Sequence, residues 1–149
     1  FYYGLNVKLS YKNWDFGFNG HGSIGYKVFN DFASNNSTAY FDVNAGNLPN
    51  FATAVKRTGF TQISGDYQYF SDFYLENASF FRMDDINLGY TFKEIGNWQG
   101  NIRVAASCQN VFVITNYSGI DPEINSTDGV DRTFWPRPRT FSVRLNVNF

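Results

Sequence analysis

Residues 20–25 read Gly20-His21-Gly22-Ser23-Ile24-Gly25, the G-x-G-x-x-G spacing that cradles a pyrophosphate in dinucleotide-binding folds. That chemistry needs a strand before the glycines and a helix opening on them, so that the phosphate meets a helix N-terminus. Here the glycines fall inside an alternating strand pattern, and the expectation is small residues leaving room in a sheet. His21 is the single histidine. With no Ser, Cys or carboxylate at a recognisable spacing it forms no triad, and alone it holds no metal. It is expected as a polar residue on a wet face. Cys108 is the single cysteine, so an internal disulfide is ruled out, and its place in a strand pattern suggests a buried, inert thiol. Asp121, Glu123, Asn125, Asp128 and Asp131 form an acidic loop that invites a calcium reading. An EF-hand loop needs Gly at its sixth place and Glu at its twelfth, where Ser126 and Arg132 stand, so the pattern fails. No catalytic, cofactor-binding or metal-ligating set is expected, and the chain is not read as an enzyme.

The elements that carry these residues announce themselves by alternation. Leu5, Val7, Leu9 and Tyr11 alternate with Asn6, Lys8 and Ser10, and Lys12-Asn13 breaks the run as a tight turn. Trp14, Phe16, Phe18, Gly20, Gly22, Ile24 and Tyr26 follow on even positions, completing a hairpin. A third run ends with Ile86, Leu88, Tyr90 and Phe92 opposite Asp85, Asn87, Gly89 and Thr91. After a short connection over residues 93–100 comes a fourth, with Ile102, Val104, Ala106 and Cys108 opposite Arg103, Ala105, Ser107 and Gln109. Its alternation fades at Val111-Phe112-Val113-Ile114. The last run is the cleanest: Phe141, Val143, Leu145, Val147 and Phe149 against Thr140, Ser142, Arg144, Asn146 and Asn148. Two long connections, about 27–76 and 116–138, contain the turn signals Gly46-Asn47-Leu48-Pro49-Asn50, Asp128-Gly129 and Trp135-Pro136-Arg137-Pro138. Connections therefore run short, long, short, long.

Composition narrows the class. Among 149 residues aromatics make up 20% and charged residues 17%, below the roughly 25% usual for soluble domains. The formal net charge of −1 offers no electrostatic case for nucleic acid. No window approaches the ~18 apolar residues of a membrane helix. The chain opens on Phe1-Tyr2-Tyr3-Gly4-Leu5 with no signal peptide. It already reads as the lead-in to a strand, so the natural N-terminus is expected upstream.

Alternation does not say which face meets water. Runs of about 10 residues match a tilted membrane strand of ~9–11, whereas soluble strands average about 5–6. Tyr11, Trp14, Tyr90, Phe92, Trp98 and Phe149 gather beside the short turns, as in an interfacial aromatic girdle. The opposite face is small and polar, as a wet lumen would be. The preferred reading is a membrane β-barrel wall in contact with lipid and lipopolysaccharide. The rival is a soluble carbohydrate-binding β-sandwich with its aromatic faces turned inward. About five strands cannot close a membrane barrel, which needs ~8, so further strands must flank them.

The stretch Tyr74-Leu75-Glu76-Asn77-Ala78-Ser79-Phe80-Phe81-Arg82-Met83-Asp84-Asp85-Ile86-Asn87-Leu88-Gly89-Tyr90-Thr91-Phe92 resembles a strand of SusC/RagA-type TonB-dependent outer-membrane transporters. Ser107-Cys108-Gln109-Asn110-Val111-Phe112 resembles that family's next strand. Asn116-Tyr117-Ser118-Gly119-Ile120-Asp121-Pro122-Glu123 and Pro136-Arg137-Pro138-Arg139-Thr140-Phe141 resemble its final loop. The last half of the chain carries the likeness; the first half matches only in pattern. The resemblance implies an all-β fold in which residues 1–149 are the C-terminal antiparallel strands of a plugged barrel of about 22 strands. It further implies uptake of a bulky nutrient, energy from a TonB complex, a SusD-like surface lipoprotein as lid, and residence in a bacterial outer membrane. The family's plug and TonB box are not in this chain. A transporter-like barrel serving as a structural partner in an envelope complex is the remaining alternative. In outer-membrane proteins generally, a ladder such as Phe141, Val143, Leu145, Val147 and Phe149 looks like the signal read by the barrel-assembly machinery.

Overall fold

The computed structural model describes residues 1–36, 38–40, 56, 60–62, 71–96, 98–124, 127–132 and 135–149. The chain divides into two units: residues 1–24, 79–115 and 137–149 form one, and residues 25–78 and 116–136 the other.

The first unit is a five-stranded antiparallel sheet. Its strands are β1 (Tyr2–Tyr11), β2 (Trp14–Ser23), β7 (Phe80–Ile95), β8 (Trp98–Thr115) and β10 (Thr140–Asn148), hydrogen-bonded in the order β1-β2-β7-β8-β10. The strands numbered between these belong to the second unit. The alternating runs thus became strands as expected, but longer at several ends. β7 extends to Ile95 and β8 begins at Trp98, which shrinks the expected 93–100 connection to a tight turn. β2 stops at Ser23, short of Ile24 and Tyr26.

Register decides the faces, because residues paired across strands lie on the same side. Three rows cross the whole sheet: Val7–Phe18–Ile86–Cys108–Phe141, Leu9–Phe16–Leu88–Ala106–Val143 and Tyr11–Trp14–Tyr90–Val104–Leu145. All fifteen positions are apolar or aromatic. The neighbouring rows are Lys8–Gly17–Asn87–Ser107–Ser142 and Ser10–Asp15–Gly89–Ala105–Arg144, polar or small throughout. A single slip of one residue in any strand would mix the two faces.

The apolar face is not a core. Leu88 and Val104 lie on the inner strands β7 and β8, yet remain 44% and 39% exposed. The thiol of Cys108 is partly exposed on this same face, in the row between Ile86 and Phe141, and the expectation of a buried thiol is corrected. At the turn end the ring of Trp14 meets Tyr90 at 4.7 Å and Tyr90 meets Phe92 at 4.6 Å, both edge-on. This is the cluster that an interfacial girdle requires. The Trp98 side chain lies outside the described residues.

Where the sequence pattern faded, the register shifts. Asn19 pairs with Asp85, but Gly20 pairs with Met83, so Asp84 is an extra residue in β7. Between Gln109 and Phe112, β8 carries a further extra residue, with Asn110 at φ +51°. The bulge switches the apolar positions of β7 from Ile86 to Met83 and Phe81. β8 keeps its parity, so Phe112 and Ile114 stay on the face of Cys108.

The second unit takes up the two long connections. It contains β3 (Lys27–Asn30), α1 (Asp31–Asn36), β4 (Thr38–Tyr40), β5 (Phe60–Gln62), β6 (Leu75–Asn77) and β9 (Val130–Asp131). β6, β3 and β9 form one small sheet, β4 and β5 another. Val28, Ala78 and Tyr117 make its buried centre, with Tyr26 and Ile124 packed against them. The Gly46–Asn50 turn signal lies outside the described residues.

Candidate functional site: the polar face of the sheet

The polar face carries side-chain pairs that bridge strands. Asp15 on β2 accepts two bonds from Arg103 on β8, Nε to Oδ1 at 3.0 Å and Nη2 to Oδ2 at 2.5 Å. These strands are not neighbours; β7 lies between them. The pair spans β7 because the residue beneath it is Gly89, where a Cβ would come within 2.5 Å of both partners. The two-bond fork gives the contact directional specificity. Asn87 lies over Gly17 in the same manner and donates to Asp85 Oδ1 at 3.1 Å.

The Asp84 bulge re-aims a carboxylate. Asp84 Oδ2 sits 2.6 Å from Nδ1 of His21, whose ring stands edge-on to Phe80 at 5.5 Å. Arg82, register partner of His21, is 3% exposed and donates from Nη1 to Asn110 Oδ1 at 2.7 Å. Asn110 in turn donates to the carbonyls of Arg137 and Pro138, tying the start of β10 to the bulge. His21 is thus a polar-face residue, as expected from sequence. Two of the fingerprint glycines lie in β2, where the rings of Tyr3 and Phe81 cover Gly22 and Gly20, and Gly25 follows the strand at φ +78°. Asp85, Asn87, Arg103, Ser107, Gln109 and Arg144 line a shallow polar groove of about 730 Å³ on this face. It offers hydroxyls, amides and charges of both signs, with no nucleophile beside a base.

In the second unit the polar side chains bond within the loops themselves. Glu76 accepts from Asn30 Nδ2 at 3.0 Å, Ser118 N–H at 2.9 Å and Ser118 Oγ at 2.6 Å. Tyr117 donates to Asp131 at 2.7 Å. Burial pushes the Tyr117 phenol well above its ordinary pKa, and the Asp131 bond adds to the shift. Asp121 accepts from the Glu123 N–H, and Asp128 accepts from Arg132 and from the Val130 N–H. The Arg132 bond is the main cause holding Asp128 below the usual carboxylate range. The acidic loop therefore folds on its own donors. Among the described residues no three His, Cys, Asp or Glu side chains converge as a metal site; Asn125 and Ser126 lie outside them.

No protein-family model matches the chain. The TonB-dependent receptor SusC of Bacteroides thetaiotaomicron is 38% identical over 154 residues, covering 98% of this chain. This chain is a SusC/RagA-type barrel segment. A TonB-dependent receptor of Formosa agariphila is 30% identical over 98% of the chain. The solved structure of the RagAB peptide transporter superposes with a TM-score of 0.72 over 98% of the chain at 20% identity, a likeness of fold. The segment spans only about 15% of SusC and 17% of the RagAB chain it matches. The SusC/RagA-type membership makes this an outer-membrane β-barrel protein and overturns the soluble-sandwich alternative.

The ladder predicted as a signal, Phe141, Val143, Leu145 and Val147, lies along β10 on the apolar face, with Phe149 just beyond the strand. Asp15–Arg103, Asp84 and the Glu76 cluster were not singled out by sequence reasoning. Their partners stand 42 to 88 residues away, and alternation reports only which side of a strand a residue occupies.

Proposed function

We propose that the segment is the C-terminal wall of an active importer of a bulky nutrient, an oligosaccharide or a peptide. The parent takes its energy from TonB through an upstream region and uses a SusD-like lipoprotein as lid. No bond chemistry is involved. The observation that carries this reading is the 38% identity to SusC along nearly the whole segment. The unbroken apolar rows and polar opposite face support it physically, since a wall between lipid and a wet lumen needs both. β1 and β10 are the sheet edges among the described residues. In lipid each needs a further strand, because an unpaired backbone group there costs several kcal/mol. We also assign the Phe141–Phe149 ladder to recognition by the barrel-assembly machinery.

The test is deletion of the full-length gene, followed by growth on a panel of oligosaccharides and peptides as sole nutrient. Loss of growth on one class, reproduced by disrupting TonB, is expected. Undiminished uptake across the panel after deletion, with the wild-type protein recovered in the outer membrane of the parent strain, would leave only a structural role. For the ladder, removing Phe149 from the full-length protein is expected to lower its yield in the outer-membrane fraction. Unchanged yield would remove the signal assignment.

A further inference from the structure

The two long loops are built into each other. The first runs over residues 25–78 and the second over 116–136. Their small sheet has the order β6-β3-β9, so the first loop supplies the central strand and one edge, and the second supplies the other edge. β9 is only two residues long, and Val130 and Asp131 lie parallel to Phe29 and Asn30 of β3. A strand pair this short is not stable by itself. The buried centre is divided in the same way: Tyr26, Val28 and Ala78 come from the first loop, Tyr117 and Ile124 from the second. Hydrogen bonds cross between the loops throughout. The Ser118 hydroxyl accepts from Asn30 Nδ2 at 3.2 Å and donates to Glu76 at 2.6 Å, so one side chain of the second loop links β3 to β6 of the first. The Phe29 N–H donates to the Gly129 carbonyl at 2.9 Å, and the Tyr26 hydroxyl donates to the Pro122 carbonyl.

We propose that the two loops are one cooperative unit that opens and closes as a whole, a coupling device through which restraint of either loop restrains the other. The reason is energetic. When one loop leaves, the other loses half of its buried centre and its partner strand, together with the bonds through Ser118, Gly129 and Pro122. A state with one loop folded and the other open therefore keeps few of the contacts that order it, and the two open together. Coupling of this kind is reciprocal: a contact made on the second loop steadies the first by as much as the reverse. The inference rests on contacts inside the unit and is independent of the transport reading.

The experiment is hydrogen exchange of the full-length protein in detergent, read by mass spectrometry on peptides covering 26–30, 74–78, 116–124 and 128–132. Val28→Ala removes two fully buried methyl groups from the first loop. It is expected to speed exchange about tenfold in both loops while β1 and β2 keep their wild-type rates. Ile124→Ala, in the second loop, is expected to speed exchange in the first. Acceleration confined to the loop that carries the substitution overturns the proposal, as does equal acceleration in β1 and β2, which would mean unfolding of the whole segment. Should Val28→Ala prevent recovery of the protein, the wild type in graded urea decides. Its protected amides in both loops are expected to open with one common midpoint, and separate midpoints overturn the proposal.

Discussion

Asp15 and Arg103 clasp each other across an intervening strand, and they meet because position 89 has no side chain. A contact that skips a strand links β2 to β8 directly and adds to the ladder bonds. Both residues are about one-third exposed, so the pair contributes on the order of 1 kcal/mol. Gly89→Ala places a methyl where the fork lies, but the atoms it meets are the ends of side chains that can swing away. We expect Gly89→Ala, Asp15→Asn and Arg103→Gln each to cost about 1 kcal/mol, and any two together to cost little more than one. Urea unfolding of the full-length protein in phospholipid vesicles measures this; additive losses would show that the pair is not a unit.

Gly22 should behave differently. A Cβ there meets the Phe80 carbonyl oxygen at 2.5 Å and the Tyr3 ring at 2.5 Å. The carbonyl belongs to the β2–β7 ladder and cannot swing aside. Gly22→Ala is expected to cost about 1–3 kcal/mol, the range for overpacking, and more than Gly89→Ala in the same assay.

Adjacent residues test the two faces. Cys108 lies in an apolar row and Ser107 in a polar one. An arginine facing acyl chains near mid-membrane costs about 2–4 kcal/mol. Cys108→Arg should therefore reduce stability and membrane yield sharply, while Ser107→Arg should leave both nearly unchanged. The reverse order would put the lipid on the wrong side of the sheet.

The Tyr117–Asp131 bond makes the loop unit alkali-sensitive. The folded phenol holds its proton more tightly than the unfolded one, whose pKa is about 10. Its stabilising contribution is complete below that pH and is lost as pH rises above it. Limited proteolysis of the full-length protein from pH 8 to pH 11 should show the 116–136 segment opening above about pH 10. Tyr117→Phe should remove that step and leave the segment weaker at every pH, since Asp131 loses a buried donor.

Disconnecting Glu76 tests the other loop knot. Glu76→Gln keeps the shape but replaces a charged acceptor of three bonds by a neutral one that accepts more weakly. A loss of about 1–2 kcal/mol, read as faster hydrogen exchange at Ser118, is expected. Unchanged exchange would mean that Ser118 is held by other contacts.

The strands, the turn at Lys12-Asn13 and the apolar identity of each face are properties of the sequence alone, because a period of two maps residue type directly onto side. Leu5 to Tyr11 and Phe141 to Val147 needed no coordinates. The sequence signal failed at Val111-Phe112-Val113-Ile114 because both faces of β8 are apolar there: Phe112 and Ile114 stay on the face of Cys108, while Val113 pairs with Arg82 on the other. Only the paired strands reveal that Asp84 is the extra residue and that it aims a carboxylate at His21. The direction of the apolar face was equally undecidable from alternation, since a soluble core and a bilayer demand the same residues. The likeness to SusC chose between them, and contacts such as Asp15 to Arg103, 88 residues apart, exist only once three strands are laid side by side.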